Sequence, residues 1–227
     1  MMRNNKNRER GFTLLELAIA LVIIGLILSM IVYSGGATIG STKVAKTISI
    51  VSDLSNALSQ FKSKYKDLPG DININATTPE IAGLPAGCMG SGNGDGVLNN
   101  GTTYDATGKL TGGEAICVPE DLFHTGMIRA DETDSGTGML VIKTPYGAVN
   151  VVSKKDSHAS GIAGFANRNV TNVIELSNLP CEAVKELDSK IDNNDIATGN
   201  AVAAALNGSV TSSCNNGAIV PFFVIAL

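Results

Sequence analysis

From Phe12 to Tyr33 the chain runs 22 residues with a single charged side chain, Glu16. A segment that apolar has few ways to fold. As a helix it is roughly 33 Å long, against a bilayer hydrocarbon core of about 30 Å. A carboxylate inside such a segment is costly and marks a functional position by default. The run is longer than the apolar stretch of a secretory signal, about 7–15 residues, and a helical pattern continues beyond Ser34-Gly35-Gly36-Ala37. Arg3, Lys6, Arg8 and Arg10, against Glu9, precede it. Basic flanks stay on the cytoplasmic side, so the expectation is one span, with everything after Tyr33 exported. Spacing also suggests how the carboxylate is compensated. A cut after Gly11 creates an α-amine on Phe12, one helical turn from Glu16.

The whole chain carries a net charge of −4, and loss of the basic leader leaves it more acidic still. Nucleic-acid binders usually show a basic face, so this balance argues against nucleic-acid binding by the isolated subunit. The four cysteines, Cys88, Cys117, Cys181 and Cys214, all fall on the exported side. An even number in an oxidising compartment reads as disulfides, with three possible connectivities. Cys88–Cys117 and Cys181–Cys214 are favoured, because each closes a span within one subregion. On the disputed chain-entropy model each stabilises by about 3–4 kcal/mol. No two cysteines have the close spacing of a zinc knuckle.

Val44, Ile48, Val51, Leu54, Leu58, Phe61 and Tyr65 recur every three or four residues, one apolar stripe on an amphipathic helix. The spacing predicts a single helix from Phe12 to about Lys66. Gly35-Gly36 is its weak point, and Asp67-Leu68-Pro69-Gly70-Asp71 stops it. Residues 72–113 read as a long Gly-, Asn- and Thr-rich loop. A short helix is expected at Glu114–Phe123, with Gly126 at its C-terminal cap. Strands are expected at Met139–Lys143, Ala148–Ser153, Gly161–Ala166 and Asn172–Leu176, the first two joined by a Thr144-Pro145-Tyr146-Gly147 turn. A second helix is expected to open at Asn178-Leu179-Pro180, with Asn178 as N-cap. Strands at Ala201–Leu206 and Ile219–Ile225 close the chain, Pro221 marking an edge or bulge.

The N-terminus resembles the class III signal of type IV pilins and type II secretion pseudopilins, through Gly11-Phe12-Thr13-Leu14-Leu15-Glu16 and the apolar run with Gly25. The resemblance implies a pilin-like α+β fold: a long N-terminal α-helical stem, half transmembrane and half amphipathic, on a globular head with an antiparallel sheet. Its parts would be a cleaved leader (1–11), a membrane half of the stem (12–33), an amphipathic half (34–66) and an exported head (67–227). It implies that a prepilin peptidase cuts between Gly11 and Phe12 and N-methylates Phe12. Glu16 would then pair with that amine, chiefly of a neighbouring subunit, as an inner-membrane assembly platform builds a helical filament. The expected role is a structural subunit of a type IV pilus, major or minor, made in the bacterial inner membrane and then displayed on the cell surface. The alternative is a pseudopilin in a periplasmic filament of type II secretion. A membrane-anchored exported enzyme or binding protein is a third reading. Many major pilins carry a proline about ten residues beyond the position of Gly25; this chain has Gly35-Gly36 there, which leaves the branch open.

The Gly90–Gly101 loop supports two readings. Asn93 and Asp95 stand at the alternating positions a hard cation uses, with a carbonyl near Val97 and Glu114 or Asp71 arriving from elsewhere, which makes calcium a candidate. The loop lacks the acidic set and terminal glutamate of an EF-hand, so a hydrogen-bonded Gly/Asn turn is the favoured reading. Ile191-Asp192-Asn193-Asn194-Asp195 is a weaker second candidate for a cation, with a polar helix end as the favoured reading. His124 and His158 lie in separate segments without ligand partners in sequence. No cofactor is required and no catalytic motif stands out, so the chain does not read as an enzyme.

Overall fold

The structure is a computed structural model that describes residues 14–73, 81–129, 132–166, 168–192, 194–211, 214–215 and 217–227. The chain divides into two compact units, Met1–Thr42 and Lys43–Leu227. In the first, helix α1 (Leu14–Tyr65) begins with residues 14–26 exposed all round. Leu14, Leu15, Leu17, Leu21 and Leu26 are each more than half accessible, as are Ile19, Val22, Ile23 and Ile24. Backbone helix continues through Gly35-Gly36 without a break. Among the described residues no helix is long and apolar enough to cross a membrane. Of the expected span, 12 and 13 and the side chains from 27 onward lie outside them.

The second unit contains the rest of α1 and the head. Val44, Leu54, Leu58 and Phe61 are buried, and Ile48, Val51 and Tyr65 half-buried, in the cluster that includes the head core. The apolar stripe is thus the face by which this part of the helix is held. Thr47, between two stripe positions, is also buried, its hydroxyl satisfied by the Lys43 carbonyl at 2.9 Å. The helix ends where Lys66 turns to φ 71°, just before Leu68-Pro69-Gly70.

The head is built on a six-stranded antiparallel sheet. Its strands are β3 (Glu132–Thr133), β4 (Leu140–Lys143), β5 (Ala148–Ser153), β6 (Asn172–Pro180), β7 (Ala201–Ala204) and β8 (Ile219–Ala226), in the order β3-β4-β5-β6-β8-β7. β6 is central, and its residues Asn172–Leu176 are buried throughout. Helix α4 (Cys181–Ile191) follows it directly and buries Ala183, Val184 and Leu187. A separate hairpin pairs β1 (Thr103–Tyr104) with β2 (Leu110–Gly112), inside the segment expected to be loop. Two disulfides, Cys88–Cys117 and Cys181–Cys214, tie the loops down.

Four expectations need correction. Gly161–Ala166 contains a short helix, α3 (Ala163–Ala166), not a strand. Turn hydrogen bonds from Ile162 N to Ala159 O and Phe165 N to Ile162 O leave no register for pairing. Asn178 does not cap α4: β6 continues through it to Pro180, with Asn178 at φ 59° opposite Pro221. Pro221 lies in an interior strand; pairing with β7 stops at Phe222, so no ladder bond from β7 is lost. The expected helix at Glu114–Phe123 splits into a 3-10 turn (Glu114–Cys117) and α2 (Val118–His124), since Pro119 suits a first turn and not an interior. Gly126, at φ 73°, follows the end of α2, where Met127 N bonds Leu122 O.

Candidate functional site

Two regions carry the sequence-predicted site residues. The first is the start of α1, where Glu16 sits in the first turn. A carboxylate there is favoured by the helix macrodipole. Gly11 and Phe12 lie outside the described residues, so cleavage and methylation are argued from sequence.

The second region is the junction of stem and head, and it is organised around carboxylates. Asp71, which the helix stop places just past Pro69-Gly70, is fully buried. Its Oδ1 accepts the amides of Gly94 (2.9 Å) and Asp95 (3.2 Å), and Oδ2 that of Gly96 (2.6 Å). The glycine-rich loop therefore wraps around an anion supplied by the chain itself. Gly92 makes the close approach possible: a Cβ there would stand 2.2 Å from the Asp71 carbonyl group. Asn93 and Asp95 bond each other at 3.1 Å, and Asp95 Oδ1 accepts Val97 N at 2.8 Å. Glu114, also buried, accepts the amides of Asn99 (2.5 Å) and Asn100 (2.7 Å) through Oε1. Burial pushes its carboxyl pKa up, and the nearby charges of Asp71 and Asp95 add to that. Asp121 on α2 accepts Gly70 N at 2.6 Å, and burial raises its pKa to about 7. The structure thus gathers Asp71, Asn93, Asp95 and Glu114 in one region. Their polar atoms are engaged chiefly with backbone amides and with each other. Among the described residues no group of three or more His, Cys, Asp or Glu side chains is placed to hold a metal ion. The Cys88–Cys117 disulfide closes the same region from the other side.

Sequence reasoning missed two groups. Glu175, in the middle of β6, accepts His158 N at 2.6 Å and lies 3.2 Å from His158 Nδ1. Tyr104 of β1 donates to it at 3.4 Å, and burial raises the tyrosine's pKa. The His158 ring stacks on Phe222 with centroids 3.6 Å apart. This carboxylate anchors the hairpin and the 154–160 loop to the sheet. Its signal in sequence is an acid inside Val173-Ile174-Glu175-Leu176. Asp188 on α4 is the other, and it is fully buried. Its pKa rises to about 6 through burial and the charges of Asp192 and Asp195, which the nearby Asp195 amide only partly offsets.

Comparison with protein families bears on the N-terminus. Residues 6–32 match the family model of the prokaryotic N-terminal methylation motif. The chain carries a prokaryotic N-terminal methylation motif. This motif is the hallmark of type IV pilins and pseudopilins, and it points to an exported, structural, pilin-like protein. It implies processing by a prepilin peptidase and filament assembly in the membrane. Searches of curated proteins and of solved structures return no match to the chain.

Proposed function

We propose that this chain is a structural subunit, major or minor, of a type IV pilus filament. It is cut between Gly11 and Phe12, N-methylated on Phe12, held in the inner membrane by 12–33 and assembled through α1, with the head outside. The observation that carries this reading is the methylation motif joined to a helix whose first turn holds Glu16 and whose residues 14–26 expose their apolar side chains. A carboxylate packed among apolar helices in a filament needs a compensating cation close by, and the Phe12 amine of a neighbour is the cation this reading assigns to Glu16.

Mass spectrometry of protein sheared from the cell surface tests it. The expected species starts at methylated Phe12. A mature protein that still begins at Met1 or Met2 sinks the reading, and strict retention in the envelope replaces the pilus with a pseudopilus. Glu16→Val is expected to leave membrane insertion intact, because insertion needs only hydrophobicity, and to abolish sheared filaments; normal yield would refute the pairing.

For the glycine-rich loop we infer the hydrogen-bonded turn, with Asp71 as its internal anion. Adding a chelator to the purified protein is expected to leave its thermal midpoint unchanged. A fall of several degrees would return Asn93 and Asp95 to the role of calcium ligands.

A further inference from the structure

On one face of the sheet, register brings small and polar side chains together. Asn150 of β5 stands opposite Glu175 of β6, and Ser177, two residues further on, stands opposite Phe222 of β8. Strand alternation puts Ala148 on the same face as Asn150. Ala148 and Ser177 are short, and a cleft of about 600 Å³ opens beside them, lined by all of these except Glu175. Two turns line it from the other side, 105–109 in the β1–β2 hairpin and 134–138 ahead of β4. Each is braced by its own aspartate. Asp105 Oδ1 accepts the amides of Thr107 (2.8 Å) and Lys109 (3.0 Å), and Asp134 Oδ2 accepts the amide and hydroxyl of Thr137 at 3.0 and 2.9 Å. The Lys109–Asp134 ion pair links one turn to the other. Gly108 seats the hairpin turn on the sheet, since a Cβ there would stand 2.5 Å from the Phe222 ring and 2.8 Å from Leu206.

The chemistry of the lining limits what the cleft can hold. Most of it is apolar, with Leu110, Ile116, Val141 and Pro221 among the walls. Its charged residues are Lys109, Asp134 and Lys143, and each is already in an ion pair, Lys143 with Glu132. A bound ion would give up its water there and meet no free counter-charge, which is costly. One polar group is unanswered. The half-buried Asn150 carboxamide has no hydrogen-bond partner among the described residues. It offers two N–H donors and a carbonyl acceptor. The lip of the cleft is apolar and faces water: Leu206 is 50% accessible and Ile219 57%. Exposed apolar surface that continues into a cleft is the usual mark of a binding site.

We propose that this cleft binds an uncharged small molecule, apolar over most of its surface and carrying one amide, carbonyl or hydroxyl group for Asn150. Its volume falls in the range of sites that enclose such ligands. The absence of a free charge in the lining selects against ions, and the lone carboxamide among apolar walls fixes the ligand's orientation. Lys109–Asp134 is the strap. The lysine side chain is 42% accessible, and an ion pair with so exposed a partner holds weakly. The strap therefore yields to an entering molecule while both turns keep their own aspartate bracing. All the lining residues belong to the head and none to α1, so binding does not require assembly of the stem.

Benzophenone is the probe. It is uncharged, has two apolar rings and one carbonyl to accept from Asn150 Nδ2, and under near-ultraviolet light it inserts into the C–H bonds it touches. The full chain in lipid nanodiscs is irradiated with it, and adducts are mapped by mass spectrometry after digestion. Reagent dissolved in the lipid labels the stem in every variant and serves as the internal reference. Head adducts are expected at Leu110, Leu206 and Ile219. Ala148→Trp, which fills the floor, is expected to cut head labelling relative to the stem about tenfold. Asn150→Leu keeps the volume and removes the hydrogen-bonding group, and is expected to cut it about threefold. Protease resistance of the head identifies the folded variants. Labelling spread equally over the cleft, Phe123 and Leu227 overturns the proposal, as does undiminished labelling of a folded Ala148→Trp protein. If Ala148→Trp does not fold, Asn150→Leu decides, and undiminished labelling there overturns it. Cleft labelling that dispersed subunits show and sheared filaments lose also overturns it, because a neighbouring chain is then the occupant.

Discussion

Asp71→Ala is expected to lower the stability of the head by about 4 kcal/mol, the largest effect of any single polar side chain in the junction. Hydrogen bonds to a charged acceptor contribute about 1.5–3 kcal/mol each, and Asp71 accepts three from loop amides. Removing the carboxylate leaves the Gly96 amide without its acceptor and the Gly94 and Asp95 amides with only their second ones, the Asp71 carbonyl at 2.8 Å and Asn93 Oδ1 at 3.0 Å, while the relief of one buried charge returns part of the loss. Asp95→Ala is the control, because the Asp95 side chain bonds only Asn93 and Val97 at the exposed rim of the loop; it should cost under about 1 kcal/mol. Urea denaturation of both variants checks this, with limited proteolysis reporting whether cleavage begins within Gly92–Leu98. Equal losses from the two substitutions would mean that the loop is not organised around Asp71. Gly92→Ala should resemble Asp71→Ala, since its Cβ would collide with the Asp71 backbone.

The second large effect is on pH dependence. Asp121 has its pKa raised from 3.8 to about 7, chiefly by burial, with the Gly70 amide pulling the other way. A carboxyl raised in the folded state binds its proton more tightly there than in the unfolded chain. Its contribution is therefore neutral below about pH 4, and stability is lost progressively as the pH rises through 7. The shift corresponds to a loss of up to about 4 kcal/mol by pH 8. Asp188, raised to about 6, works in the same direction over a slightly lower range. Asp121→Asn keeps an oxygen for Gly70 N and cannot ionise, so it should flatten most of the decline between pH 4 and 8. Thermal midpoints measured across that range check it; a wild type whose stability rises toward pH 8 would contradict the assignment.

The stem was legible because helical periodicity is local. Val44 to Tyr65 repeats every three or four residues, and the stop at Asp67-Leu68-Pro69-Gly70 is written in the residues that prevent continuation. β5 was equally readable, at Ala148–Ser153. The head loops were not, because their order comes from pairings distant in sequence. Asp121 reaches Gly70 across 51 residues, and Glu175 reaches Tyr104 across 71. Nothing near Asp71 announces that it will serve as an acceptor for glycine amides more than twenty residues ahead. Gly161–Ala166 misled for a related reason: small apolar residues satisfy a strand or a turn of helix, and only the neighbouring turn hydrogen bonds decide. The N-terminal motif is legible for the opposite reason, since its matched residues, 6–32, are contiguous.

The last strand of the sheet, β7, is short and entirely buried. Its outer backbone is already spoken for: Ala203 N bonds Ile196 O, Thr211 N bonds Ala203 O, and Ala205 N bonds Ser209 O. At the other edge, β3 is two residues long and bears a Glu132–Lys143 ion pair. Among the described residues neither β7 nor the two-residue β3 presents a long free ladder. If the chain assembles as proposed, strand exchange between neighbouring heads would weld the array into an irreversible aggregate. Short or covered edges disfavour that exchange, so the head is built to stay a separate folded body beside its neighbours.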